Sequence, residues 1–189
     1  MIGARVPSAK FFRDLFIEDG AEARRQQARG CPRCRGRLDR ADYPRKPRGL
    51  PVGLELDELF GTRFSLCCSR EGCRRRLTPP SVRFLGRRVY VGTVVMLAAA
   101  ASLAAALITF HVVRRTAQRW SRWWTQALPG TAFWRVAKAR FAAPVDEARL
   151  PGTLVACFHG DHESALLGAL RFVAPITTTS ARSSFAMGP

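Results

Sequence analysis

The sequence predicts a mainly α-helical chain with a small, cysteine-bearing β module ahead of the helices. Three observations carry that prediction. Five of the six cysteines fall between residues 31 and 85, among many Gly and Pro and short alternating runs such as Arg63-Phe64-Ser65-Leu66-Cys67. Residues 89–128 are dominated by Ala, Leu and Val and almost lack Gly and Pro, the texture of helix. Beyond Pro129-Gly130, apolar residues keep helical spacing to about residue 173. The chain has 189 residues, 47% of them hydrophobic, with four Trp, which is material for a core and excludes a wholly disordered basic tail.

Taken in order, residues 1–29 read as a short amphipathic helix around Phe11, Phe12, Leu15 and Phe16, followed by a basic linker. Residues 30–86 form the cysteine module. Residues 89–175 form the helical part. It includes a segment bearing Phe133, Trp134, Val136, Ala137 and Phe141 that ends at Pro144. A last stretch follows through Leu154, Phe158, Leu166, Leu167, Leu170 and Phe172. Residues 176–189, rich in Ser and Thr, read as a disordered tail. The N-terminus has no apolar segment of the kind that directs secretion, so the expected compartment is the cytoplasm.

Charge narrows the choice of partner. The chain carries 31 Lys+Arg against 14 Asp+Glu, a formal charge of +17, and all but three of the cations are arginine. From Gly72 to Val145 there is no acid at all, while thirteen Arg or Lys occur. An ordinary solvated surface mixes both signs, whereas a long block of one sign suits a face that meets a polyanion. A GC-rich coding sequence would raise the arginine content in the same way without any partner.

Cys31-Pro32-Arg33-Cys34 places two thiols three residues apart, with a proline that suits the turn between them. Cys68 and Cys73 are the best second pair, wider than usual, and Cys67 is a rival to Cys68. Two pairs on separate hairpins supply the four soft ligands that Zn²⁺ takes in a tetrahedron, and without export a disulfide framework is not expected. The predicted module is therefore a zinc ribbon holding a structural Zn²⁺. Buried free thiols and a redox pair are the other readings. A redox pair normally opens a helix, while this one runs into Gly36 and a basic, turn-rich stretch. Cys157 reads as a core thiol, and His111, His159 and His162 as bystanders.

Val89 to Phe110 is 22 residues without a charge, long enough for one membrane span, which makes a membrane protein with a cytoplasmic zinc ribbon the alternative. Seven of the 22 are Ala, the run contains Gly92, Thr93, Ser102 and Thr109, and Arg87-Arg88 and Arg114-Arg115 flank both ends, so buried helices are preferred. In the next helix, Arg114 to Leu128, Val113, Ala117, Trp120 and Trp124 follow the spacing of a core face, while Arg115, Gln118, Arg119 and Arg122 cover the rest. Arg and Gln on one face and aromatics on the other suit the recognition helix of a helix-turn-helix. His111 stands where the turn glycine is usual, and Val113 where a capping Ser or Thr is usual.

Cys31-Pro32-Arg33-Cys34, Tyr43-Pro44-Arg45-Lys46-Pro47-Arg48-Gly49, Cys68, Cys73-Arg74-Arg75-Arg76 and Thr78-Pro79-Pro80-Ser81-Val82-Arg83-Phe84 resemble a family of small bacterial proteins often found near transposable elements. Those proteins are similar to the zinc-ribbon plus helix-turn-helix part of transposases. The Arg114-Arg115-Thr116-x-x-Arg119-Trp120-x-x-Trp123-Trp124 stretch resembles the start of their recognition helix. The resemblance covers about residues 10–180 and implies DNA binding, by an accessory or regulatory protein of a mobile element, with a transposase as a possible protein partner.

No catalytic constellation is read. The acids cluster in Asp14–Glu22, Asp39–Asp42, Glu55–Glu58 and Asp146–Glu147, none placed like the spaced carboxylates that hold two metal ions, and Asp161-His162-Glu163 reads as a polar loop. The expectation is a non-enzymatic, nucleoid-associated protein bound chiefly to double-stranded DNA. Cys31, Cys34, Cys68 and Cys73 would ligate zinc. Arg74, Arg75, Arg76, Arg87 and Arg88 would contact phosphate, and Arg115, Gln118, Arg119 and Arg122 would face a groove.

Overall fold

A computed structural model describes residues 6–47, 50, 54–85, 91–110 and 112–178. The first helix, α1 (Ala9–Arg29), is longer than the sequence suggested, because the stretch read as a basic linker continues the helix. Ser8 starts it, its hydroxyl accepting from the Phe11 N–H at 3.2 Å, and Gly30, at φ 73°, stops it. Between them Ala, Arg, Gln and Glu are good helix formers, and Glu22 pairs with Arg25 one turn on. Phe11, Phe12 and Leu15 are buried against the main core.

The cysteine module contains two small antiparallel sheets. Strands β1 (Leu38–Arg40), β4 (Leu66–Cys68) and β5 (Arg76–Leu77) form one, in the order β1-β4-β5. Strands β2 (Tyr43–Pro44) and β3 (Thr62–Arg63) form the other. The register sets Leu38 opposite Cys68 and Asp39 opposite Cys67, so the two adjacent cysteines point to opposite faces. The module's own apolar cluster is minute, with Leu38 and Leu66 buried beside Cys31 and Cys68. Gln27 of α1 docks on it through a 2.9 Å hydrogen bond to the Leu38 carbonyl.

The apolar run is two helices, α2 (Gly92–Ala100) and α3 (Leu103–Phe110). At 1.5 Å per residue, nine and eight residues give about 13 Å each, far short of the roughly 30 Å of a bilayer core. No helix among the described residues is long and apolar enough to cross a membrane. The break falls at Ala101, whose backbone is extended, and Ser102, whose hydroxyl accepts from the Ala105 N–H and restarts the helix. Helices α2, α3 and α4 (Arg114–Arg122) pack on one another.

Trp123–Ala127 continue α4 as a π-helical turn. That wider turn lets both Trp123 and Trp124 bury, their rings edge to face at 4.8 Å. Trp120 and Ala117 are buried as their spacing predicts, but Val113 is 68% exposed. Val113 sits at the cap, outside the helix, where the helical period no longer applies, and Val112 is buried instead.

Helices α5 (Ala132–Ala137), α6 (Gly152–Ala156) and α7 (His162–Val173) complete the body. Phe133, Trp134, Phe141 and Phe158 all gather around Phe172. Gly168 makes room for this cluster, since a Cβ there would lie 2.5 Å from the Phe158 ring. The segment read as a disordered tail begins packed: Ile176 is buried, and the Thr177 hydroxyl accepts from the Ser81 N–H at 2.9 Å. Residues 179–189 of that segment lie outside the described residues.

A buried ion pair joins these parts. Arg83, fully buried, donates to Asp19 of α1 at 2.8 Å and to the carbonyls of Phe60 and Thr62 at 2.5 and 2.7 Å. Its guanidinium lies 4.8–5.4 Å from the rings of Phe16, Phe60, Phe64 and Phe84. Asp19 also accepts from the Ser81 hydroxyl and the Val82 N–H. Arg83 is thus one of the thirteen cations of the acid-free block that belongs to the interior, and Lys138 of that block pairs with Glu147 at 2.8 Å.

Candidate metal centre

Two loops bring four cysteines together. The first runs from Cys31 to Cys34 straight after α1, and the second links the end of β4 to β5. Each first cysteine is locked by its own backbone. The Cys31 N–H donates to the Gly36 carbonyl at 2.8 Å and the Cys68 N–H to the Arg75 carbonyl at 2.9 Å. The sulfur atoms of Cys31 and Cys73 are 3.7 Å apart and those of Cys34 and Cys68 3.4 Å, with all four ligand atoms within 4.8 Å of one another. A tetrahedral Zn²⁺ with Zn–S bonds of about 2.3 Å requires sulfurs about 3.8 Å apart, so the cluster fits a structural zinc site. None of these cysteines is in a disulfide. Gly36 closes the site, because a Cβ there would meet the sulfurs of Cys68 and Cys34 at 3.3 and 3.4 Å.

The site also selects between the neighbours Cys67 and Cys68. Cys68 enters the cluster, while the Cys67 thiol lies 3.6 Å from the Arg74 carbonyl on the other face of β4. Electrostatics differ from ligand to ligand. Burial resists ionisation of Cys31, but N–H groups of Arg33 and Cys34 and the neighbouring thiols more than offset it and hold the thiol down at about 6. The Gly36 N–H, then Cys68, lowers Cys34. Burial dominates at Cys68 and pushes its thiol up to about 12.

Arginine surrounds this centre. Arg74, Arg75 and Arg76 are exposed beside Cys73. So are Arg33, Arg35, Arg37 and Arg70, which the sequence reading passed over although each lies within three residues of a ligand. Arg40 of β1 is an eighth exposed arginine; only Glu71 and Asp39 accompany the eight in the two loops and their strands, and Asp39 is paired with Arg37 at 3.0 Å. Four thiolates and Zn²⁺ together carry two negative charges, so these loops and strands retain a net charge of +4.

The other residues singled out from sequence fall elsewhere. Arg115, Gln118 and Arg122 are exposed on α4 and Arg119 is half-buried there. Val113 precedes α4 without any side-chain cap. Arg87, Arg88 and His111 lie outside the described residues. Cys157 is half-buried, its thiol donating to the Thr153 carbonyl at 3.2 Å, and burial pushes it up.

Asp161 and Glu163 have structural tasks. Asp161 caps α7 by accepting from the Ser164 N–H at 2.8 Å, and Glu163 ties down the start of α1 by accepting from the Ser8 N–H at 2.6 Å. Comparison of the chain with protein-family models, with curated proteins and with solved structures finds no match in any of the three.

Proposed function

We propose that the protein binds nucleic acid, double-stranded DNA above all, with a structural zinc ribbon presenting its contact surface. The carrying observation is the cluster of eight exposed arginines in the two cysteine loops and their strands, opposed by two acids. The zinc chemistry is structural: the four thiolates would fill a tetrahedral ion's coordination and leave no position for a substrate. In this reading the ion fixes the two loops, and the loops hold the arginines against phosphates. The exposed face of α4, with Arg115, Gln118 and Arg122, is a second contact element, read as the recognition helix of a helix-turn-helix. An accessory or regulatory role in a mobile element, with a transposase as a partner, rests on the sequence resemblance.

Titration of the zinc-loaded full chain with a labelled random duplex across a salt series tests the proposal. With six to ten phosphate contacts, affinity falls by about 10³–10⁵ between 50 and 200 mM salt. Absence of binding at 50 mM salt would overturn the reading.

A further inference from the structure

The residue that follows the second cysteine of each pair has an uncommon backbone. Arg35 has φ 58° and Arg74 φ 39°, and they are the two non-glycine residues with positive φ among the described residues. Each lies one position beyond a ligand, Cys34 and Cys73 respectively. The loops close in the same manner. In each, the first cysteine's N–H donates to the carbonyl of the residue after the arginine, Gly36 or Arg75. The arginine's own N–H turns back into the loop, to Cys31 at 2.8 Å or to Arg70 at 3.2 Å. Arg35 and Arg74 therefore occupy equivalent positions around one metal centre, although the second loop is two residues longer.

Glycine adopts this backbone without strain, whereas a side chain with a Cβ does not. Asn or Asp can offset the strain by bonding locally to the backbone. Arginine brings no such bond here. Both side chains are exposed, and neither guanidinium has a hydrogen-bond or ion-pair partner among the described residues. Among the described residues the fold gains no polar contact from arginine at either position, and the same strained choice is made twice.

We infer that Arg35 and Arg74 are a matched pair of phosphate-binding residues, each taking a phosphodiester group of the bound nucleic acid at the mouth of its metal loop. This rests on the nucleic-acid reading. Strain retained at equivalent places is a mark of function, and a guanidinium is the side chain best shaped for phosphate.

Because glycine suits both positions, Arg35→Gly and Arg74→Gly remove the contact while favouring the fold. The experiment measures melting temperature and the salt dependence of duplex binding for the zinc-loaded wild type, both single variants and the double variant. Arg35→Asn and Arg74→Asn serve as a second pair. Melting temperature is expected to hold or rise in every variant. The slope of log affinity against log salt is expected to become shallower by about 0.9 for each single variant and about 1.8 for the double. Arg13→Ala is the control, because Arg13 is exposed near the opposite end of α1, about 24 Å along the helix from Arg29. It is expected to leave the slope unchanged.

A double variant with the wild-type slope and affinity would overturn the pair while leaving the nucleic-acid reading intact. So would an equal loss in Arg13→Ala, which would reduce the effect to general charge. A wild type that does not bind duplex at low salt would overturn both readings.

Discussion

Replacing Asp19 with Asn keeps the side chain's shape and removes its charge. In the native fold Asp19 is 2% exposed and accepts from the Arg83 Nε at 2.8 Å, the Ser81 hydroxyl at 2.6 Å and the Val82 N–H at 2.7 Å. Asp19→Asn leaves the Arg83 cation buried with two carbonyls and four ring faces but without its ion-pair partner, the carboxylate of Asp42 acting only at longer range. Breaking a buried pair from one side costs about 3–5 kcal/mol. In a chain of this length each kcal/mol moves the melting temperature by about 2–4 °C, so the expected fall is about 6–20 °C. Thermal denaturation of the zinc-loaded protein, followed by circular dichroism, reads it directly. The double substitution Asp19→Leu with Arg83→Met removes both charges together and is expected to lose less than the single change. A melting temperature for Asp19→Asn within about 2 °C of wild type would refute the argument that this pair holds α1, the β module and the Ser81–Arg83 segment together.

Other expectations concern the metal centre and the aromatic cluster. Cys68→Ser is expected to abolish stoichiometric zinc in the purified protein, and Cys67→Ser to leave it intact, with elemental analysis as the readout. Zinc binding should tighten as pH rises. The Cys68 thiol, pushed up to about 12, holds its proton at neutral pH and must release it to the solvent when the ion binds. From pH 7 to 8.5 the apparent Kd measured against a competing chelator should fall at least tenfold per pH unit, and a flat profile would contradict the assignment of Cys68 as a ligand. Gly168→Ala drives a methyl group into the Phe158 ring and is expected to cost about 1–3 kcal/mol in a denaturant titration.

Much of this architecture is legible in the sequence because it rests on local chemistry. The spacing of Cys31, Cys34, Cys68 and Cys73 marks the metal centre without any knowledge of the fold. The buried positions of Ala117 and Trp120 follow from helical period alone, and Trp124 continues that spacing into the π-helical turn. What escapes depends on partners distant in the chain or on backbone detail. Arg83 looks like one more surface cation until Asp19, 64 residues earlier, is folded against it. The division of the apolar run at Ala101 and Ser102 is set by one hydroxyl cap, which composition does not reveal among so many alanines. The sequence already favours Cys68 over its rival Cys67, and the register that sets Leu38 opposite Cys68 gives the reason. The left-handed backbone of Arg35 and Arg74 is hidden because glycine, asparagine and aspartate, not arginine, are the residues that signal it in a sequence.

The central claim is that one zinc ion organises the arginine surface that meets nucleic acid. Its most direct test is duplex affinity at fixed low salt for the zinc-loaded protein, for the same protein after chelation, and after zinc is restored. The account predicts that chelation weakens binding at least tenfold and that zinc returns it. Affinity unchanged by removal of the metal would contradict it.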